Sequence, residues 1–229
     1  MTVSPRVRSR VVSPKSFLLS EDIHDYLIEH STPLDDIRTR LIAETAELGG
    51  ISVMQIADEQ SILITILTRL LGVRTAVEVG TFTGMSSLAI ALGMPPDGHL
   101  LCCDVSEEWT AVARRYWAEA GVDGRIELRI GPAIETLRAL PSEATFDLAF
   151  IDADKPGYVG YWDELVPRIR PGGVLLVDNV LQNGSITDPA ATHESVLAMR
   201  TFNDHAAADS RVELVMLPIS DGLTVARKL

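Results

Sequence analysis

The chain has 229 residues, of which 46% are hydrophobic and 23% charged, and this composition excludes a wholly disordered protein. Its 32 acids and 20 bases give a net charge of −12, which disfavours a general nucleic-acid binder because such proteins neutralise phosphates with Lys and Arg. The longest apolar runs, such as Ile62–Ile66, are too short to cross a bilayer, and no apolar segment follows the basic N-terminus. We therefore expect a cytoplasmic protein without a membrane span. Its only cysteines, Cys102 and Cys103, are expected to be buried strand residues.

The first third of the chain has a helical pattern. Ser20 is expected to cap a helix that runs to about Glu29. Thr32-Pro33 predicts the start of a second helix, because proline is well placed at the first helical position. A third helix is predicted from about Asp58 to Leu71.

From Thr75 onward, short apolar runs alternate with helical patterns, as in a parallel sheet covered by helices. The predicted strands are 75–80, 100–105, 126–130, 146–152, 173–178, 212–218 and 223–227. The predicted helices between them are 85–92, 107–120, 133–140, 158–168 and 193–208. Only four residues separate the last two strands, so they are expected to form an antiparallel hairpin around Asp221-Gly222. The pattern predicts a doubly wound α/β fold with a terminal hairpin.

No repeat or interdomain linker interrupts the sequence. We therefore predict one domain over residues 15–229, preceded by a flexible tail at 1–14. Within the domain, residues 15–72 are expected to form a helical cover and residues 73–229 the α/β core.

A glycine turn joins the first predicted strand to a helix, at Gly80 to Gly84. Glycines let backbone approach a ligand closely, and ligands of open α/β sheets bind at this edge. Asp104 ends the next strand, 24 residues after Gly80, where a carboxylate could hold a ribose diol. A dinucleotide-binding turn would have glycine where Glu78 stands. An acid there suits a ligand with a cationic amino group, such as S-adenosylmethionine, and disfavours an NAD-dependent oxidoreductase.

Polar side chains also follow the fourth and fifth predicted strands. Asp152 ends one, and Asp178 and Asn179 end the other. Side chains with oxygen ligands that meet at one edge of the sheet would suit Mg²⁺, with Mn²⁺ or Ca²⁺ as alternatives. The nearby Lys155 could accept a proton, because a divalent ion beside it would disfavour its charged form.

These motifs together resemble the cation-dependent O-methyltransferases of the caffeoyl-CoA and catechol type. The segments that carry the resemblance are Glu78–Gly84, Asp152–Lys155, Asp178-Asn179 with Asn183-Gly184, and Leu217–Gly222. The resemblance implies a Rossmann-like seven-stranded sheet, a homodimer, and methyl transfer from S-adenosylmethionine to a hydroxyl of a small catechol-like acceptor.

The resemblance also implies a role for individual residues. It assigns the metal to Asp152, Asp178 and Asn179, and the general base to Lys155. It assigns the acceptor to Lys15, Asp152 and Asn183. The implied cofactor contacts are Met54, Glu78, Gly80, Thr81, Ser86, Asp104, Ala133, Asp154 and Tyr161.

The sequence departs from the family pattern at three places. Glu59-Gln60-Ser61 lacks a glycine common before the third helix, which weakens the expected contact of Met54. Gln182 replaces a tryptophan of plant members, and Ser220 stands where glycine is usual. Two alternatives stay open at this point, a tRNA-modifying methyltransferase of the same fold and a non-catalytic protein that binds S-adenosylmethionine.

Overall fold

The computed structural model describes residues 20–229, which divide after Pro33 into two units. The described part of the first unit contains one helix, α1 (Glu21–Glu29). It begins after Ser20 as predicted, although the Ser20 side chain makes no capping hydrogen bond. The predicted tail 1–14 and the predicted acceptor contact Lys15 lie outside the described residues.

The second unit, residues 34–229, contains the α/β fold. Its α-helices are α2 (Asp36–Ala46), α3 (Asp58–Leu70), α4 (Met85–Gly93), α5 (Glu107–Glu119), α6 (Ala133–Ala139), α7 (Tyr158–Leu165) and α8 (Glu194–Ala208). Its strands are β1 (Thr75–Val79), β2 (His99–Asp104), β3 (Ile126–Ile130), β4 (Phe146–Ile151), β5 (Ile169–Val177), β6 (Val212–Leu217) and β7 (Leu223–Lys228). Short 3-10 helices at Gly49–Met54 and Gln182–Thr187 were not predicted from the sequence.

Helix α2 begins later than predicted. The expectation that Thr32-Pro33 starts a helix is wrong, because Asp35 is the residue that caps α2. The Asp35 carboxylate accepts from the Arg38 backbone N–H at 2.9 Å and from Arg38 Nε at 2.8 Å. A side chain that satisfies a first-turn amide in this way fixes where a helix starts.

The seven strands form one sheet in the order β3-β2-β1-β4-β5-β7-β6. The first five strands pair in parallel, while β7 is antiparallel to both β5 and β6. This confirms the predicted doubly wound sheet with a C-terminal hairpin. The hairpin turn uses left-handed backbone at Ser220 (φ 48°) and Gly222 (φ 89°).

Strand β5 begins at Ile169, four residues before the predicted start. The segment Arg170-Pro171-Gly172-Gly173 has the composition of a turn, but it lies inside the strand as an irregularity. The register between β4 and β5 shifts between Phe146 and Leu148, and Gly172 takes a φ of +81°. A bulge therefore accommodates residues that would otherwise end the strand.

Side-chain alternation places three acids on one face of the sheet. Ala76, Phe150 and Leu176 pack in the apolar cluster beneath α3 and α4. Two residues further along each strand stand Glu78, Asp152 and Asp178, which therefore point to the same side. The backbone ladder continues past the strand ends, since Asp152 N donates to Val79 O at 2.8 Å and Asp178 N to Ile151 O at 3.0 Å.

Both cysteines are free and fully buried in β2, as predicted. Within the described residues, none of the helices has the length and apolar character that a bilayer crossing requires.

Candidate active site

The turn after β1 brings two strand ends into direct contact. Gly80 has a φ of +89°, and a Cβ there would lie 1.8 Å from the carbonyl oxygen of Asp152. Gly84 precedes α4 with a φ of +92°, and its Cβ would lie 2.5 Å from the Cβ of Ala113. Only glycine allows backbone this close at both positions, so the turn leaves the N-terminus of α4 open at the sheet edge.

Glu78 lies fully buried beneath this turn. The Thr81 hydroxyl donates to its Oε2 at 2.9 Å, whereas Oε1 has no hydrogen-bond partner within the described chain. Burial raises the pKa of Glu78 to about 7, against the hydrogen bonds of Ser86 and Thr81, which lower it. A buried acid with a free oxygen fits a ligand that brings a positive charge. The structure thus joins three predicted cofactor residues, and their chemistry fits the amino group of S-adenosylmethionine.

Asp104 holds the glycine turn in place. Its Oδ2 accepts from the Thr81 and Phe82 backbone N–H groups at 2.8 Å each, and its Oδ1 accepts from Ser106 N at 2.8 Å. A carboxylate offers about four acceptor sites, so about one is left for a ligand hydroxyl. The predicted ribose contact is therefore compatible with one hydrogen bond in addition to the structural ones.

Two further predicted cofactor residues form a pair. The Tyr161 hydroxyl donates to Asp154 Oδ1 at 2.5 Å. Burial raises the pKa of Tyr161 most, and this hydrogen bond raises it further. Ala133 is the buried first residue of α6. Met54 is exposed, but the next residue contacts the glycine turn, because Gln55 Nε2 donates to Thr83 Oγ1 at 3.3 Å.

Lys155 lies at the centre of the second cluster. Its Nζ donates to Asp152 Oδ1 at 3.0 Å, to Asn179 Oδ1 at 2.6 Å and to the Tyr158 hydroxyl at 2.7 Å. Asn179 reaches this point through a left-handed backbone (φ 58°). Oxygens from two strand ends therefore already converge on one positive charge.

Asp178 completes the cluster of residues predicted to bind metal. Burial, and then the charge of Asp152, raise the pKa of Asp178 well above its ordinary value. Over residues 20–229, no group of three or more His, Cys, Asp or Glu side chains is placed to hold a metal ion. The predicted set instead has two carboxylates and the amide oxygen of Asn179. Such hard oxygen donors fit Mg²⁺, and the ammonium of Lys155 now lies between two of them, Asp152 and Asn179.

The loop after Asn179 borders this cluster. Gln182 Nε2 donates to Asn179 O at 3.0 Å, and the backbone N–H of Asn183 donates to the carboxylate of Asp221. Asn183 itself is exposed and left-handed (φ 50°). The predicted acceptor contact therefore lies on a loop that is joined directly to Asn179.

Sequence reasoning missed three side chains of the site. Tyr158 holds the ammonium of Lys155, and Asp221 holds Asn183. Gln60 is fully buried in α3, where its amide lowers the pKa of Asp178, yet neither of its amide heteroatoms has a hydrogen bond of normal geometry. Of these three residues, only Tyr158 could have been found from the sequence, because it follows Lys155 by three residues.

The fold and the site together define a methyltransferase that uses S-adenosylmethionine. Residues 28–229 match the model of the O-methyltransferase family, and the chain belongs to that family. It is 42% identical over 214 residues to the Dictyostelium discoideum protein named probable caffeoyl-CoA O-methyltransferase 1, covering 92% of this chain and 93% of that protein. It is 33% identical to caffeoyl-CoA O-methyltransferase 1 of Arabidopsis thaliana over 237 residues, covering 99% and 92%.

Solved structures agree with this assignment. The O-methyltransferase TomG of Streptomyces achromogenes, solved in complex with S-adenosylmethionine, superimposes with a TM-score of 0.82 at 30% identity. The match covers 90% of this chain and 96% of TomG. The protein is therefore an S-adenosylmethionine-dependent O-methyltransferase.

Proposed function

We propose that this enzyme methylates one hydroxyl of a small acceptor with vicinal hydroxyls, such as a catechol, with the help of a divalent cation. The observation that carries the proposal is the contact of Lys155 with both Asp152 and Asn179, at the edge of the sheet where the turn at Gly80 lies against Asp152. A methyl donor anchored at Glu78 and an acceptor hydroxyl at Lys155 would then approach each other along one sheet edge.

Asp152, Asp178 and Asn179 would hold the cation. When bound, the cation favours the ionised form of an acceptor hydroxyl, and S-adenosylmethionine supplies the methyl group. The chain itself orients the reactants. Because their translational and rotational freedom is lost already on binding, the barrier of a well-oriented reaction can fall by about 7–11 kcal/mol. Glu78, Thr81 and Ser86 would fix the donor end of the site.

Lys155 would accept the proton of the hydroxyl. Two of its three hydrogen-bond acceptors belong to the proposed metal-binding residues, Asp152 and Asn179. If Asp152 and Asn179 hold a cation, Lys155 would still have the Tyr158 hydroxyl as a hydrogen-bond partner that orients its Nζ. A positive charge nearby favours the neutral amine, which is the form that can take a proton.

The proposal is tested by transfer of labelled methyl from S-adenosylmethionine to catechol, with Mg²⁺ and with EDTA. Resorcinol is the matched control, since it has the same two hydroxyls at non-adjacent positions. Labelling of catechol that needs Mg²⁺ and is absent with resorcinol supports the proposal. Labelling that survives EDTA contradicts the role of the cation. If the cofactor binds but neither catechol nor caffeoyl-CoA is labelled, the acceptor class is wrong and tRNA is the next substrate to test.

We also propose, from the family resemblance, that the enzyme acts in the cytoplasm as a homodimer. Light scattering on the purified chain would measure its mass, for which twice 24.9 kDa is expected. A mass of 24.9 kDa at micromolar concentration would contradict the dimer.

A further inference from the structure

The loop between β5 and α8, residues 180–193, forms one side of the proposed acceptor site. It starts directly after Asn179 and contains three successive residues with left-handed backbone, Gln182 (φ 48°), Asn183 (φ 50°) and Gly184 (φ 80°). Left-handed conformations are costly for residues other than glycine, so they persist only when the surroundings hold them. A loop of this kind therefore needs support from outside itself.

Arg200, which is half-buried on α8, supplies the part of that support that acts on residues 185–191. Its Nε donates to Ile186 O at 3.0 Å and its Nη1 to Ala191 O at 3.0 Å. Its Nη2 donates to Ser185 O at 3.1 Å and also to the carbonyl of Asp188. Four of the five N–H groups of the guanidinium are thus used on carbonyls of this one loop. The same use of its donors makes Arg200 unsuited to bind an anionic group of a substrate.

We propose that Arg200 is a positioning residue that holds loop 180–193 in the shape required for acceptor binding. The inference rests on the proposed function, because it takes this loop as the acceptor side of the site. Gln182 transmits the effect, since its side chain joins the loop to the backbone of Asn179. Fixing the loop also fixes the exposed Asn183, which follows Gln182 within it.

The substitution R200K separates charge from geometry. Lysine keeps the positive charge, but its donors are on a single atom and cannot reach four separated carbonyls. Arg168 offers a matched control at the other end of β5. It is 8% exposed and also donates to backbone carbonyls, those of Pro141 at 3.0 Å and Glu164 at 2.5 Å. In register with β4, Ile169 faces Phe146 and Val177 faces Ile151, so Arg168 and Asp178 are separated by roughly 20 Å along the sheet.

The experiment measures methylation of catechol by the full chain with Mg²⁺, together with hydrogen exchange of the loop amides. In R200K, we expect a catechol KM raised about tenfold, kcat within about twofold of wild type, and faster exchange over residues 181–192. The Kd for S-adenosylmethionine should not change. R168K should lower the Tm but leave the catechol KM and the exchange of the loop unchanged.

A wild-type KM in R200K, or unchanged exchange of the loop, would overturn the inference. An equal rise of KM in R168K would also overturn it, since the effect would then be one of general stability. If wild-type protein methylates none of the probes, the proposed function fails, and the acceptor role of the loop fails with it. Faster exchange confined to R200K would then still show that Arg200 clamps the loop.

Discussion

Gly80 and Asp152 lie so close that a Cβ on Gly80 would be 1.8 Å from the carbonyl oxygen of Asp152. Gly80 belongs to the cofactor turn, and Asp152 is a proposed metal ligand. Because β1 and β4 are neighbouring parallel strands, the two halves of the site meet backbone to backbone. The sheet itself therefore fixes the distance between the proposed sites for the methyl donor and the acceptor.

Substitution of Gly80 by alanine should separate these two halves. We expect Gly80→Ala to lower the free energy of unfolding by about 3 kcal/mol or more, from left-handed strain plus the steric overlap. Affinity for S-adenosylmethionine should fall more than about tenfold, which calorimetry would measure.

Gly121→Ala is the control for this substitution. Gly121 has a φ of +66°, but a Cβ on it would have no other atom within 4 Å, so alanine there should cost about 1–2 kcal/mol and leave cofactor affinity unchanged. Equal effects of the two substitutions would show that strain, not the contact with Asp152, matters at Gly80.

Glu78 should make cofactor binding depend on pH. Its pKa of about 7 in the folded protein means that the carboxyl binds a proton below pH 7, whereas a cationic ligand favours the carboxylate. Affinity for S-adenosylmethionine should therefore rise from pH 6 to pH 8, with release of a proton on binding. Calorimetry in two buffers of different ionisation enthalpy measures that proton. Glu78→Gln should weaken binding about 10–100-fold and abolish the proton release.

Glu78 should also destabilise the cofactor-free protein at high pH. The folded pKa of about 7 lies above the ordinary value of 4.5, so between these values the folded state holds a proton that the unfolded state has lost. The free energy of unfolding thus falls as pH rises through this window. Glu78→Gln should be more stable than wild type at pH 8 and lose that advantage near pH 4.5. Urea unfolding at the two pH values checks this, and an advantage independent of pH would contradict it.

The fold could be predicted from the sequence because its signals are local. Short apolar runs identified every strand, and the glycine turn identified where the sheet opens. The errors concern where an element begins. Asp35 caps α2 through Arg38, although Thr32-Pro33 has the composition of a helix start. The Pro-Gly-Gly segment in β5 has no partner on β4, but Ile169 before it and Val174 after it both pair with β4, so the segment stays within the strand as a bulge.

The candidate site was predictable in part for the same reason. Residues at strand ends are brought together by parallel pairing, so Asp152, Asp178 and Asn179 could be grouped from sequence. The role of Arg200 could not be predicted, because its partners are backbone carbonyls, which every residue has whatever its side chain. Gln60 could not be predicted either, since its effect on the pKa of Asp178 depends on its burial near a strand end that is distant in the chain.

Removal of one proposed metal ligand, Asp178, should stabilise the metal-free protein and weaken its binding of a metal ion. Burial and the charge of Asp152 make the Asp178 carboxylate unfavourable in the free protein, so Asp178→Asn should stabilise that form at pH 8. Binding of Mn²⁺, titrated by electron paramagnetic resonance, should weaken by at least about tenfold. Asp204→Asn, on the exposed side of α8, should change neither property. Wild-type Mn²⁺ affinity in Asp178→Asn would remove Asp178 from the metal site.

Lys155 should be required for turnover and not for cofactor binding. Lys155→Met removes the proposed proton acceptor, and loss of such a group costs about 10²–10⁴ in rate. Lys155→Arg separates the two roles that the structure allows for this residue. Arginine keeps a cation beside Asp152 and Asn179, but it stays protonated in proteins and cannot accept a proton. We expect both variants to lose kcat with catechol and Mg²⁺ to a similar extent, while their Kd for S-adenosylmethionine stays that of wild type. Restored turnover in Lys155→Arg would show that the lysine acts only as a cation that organises the cluster.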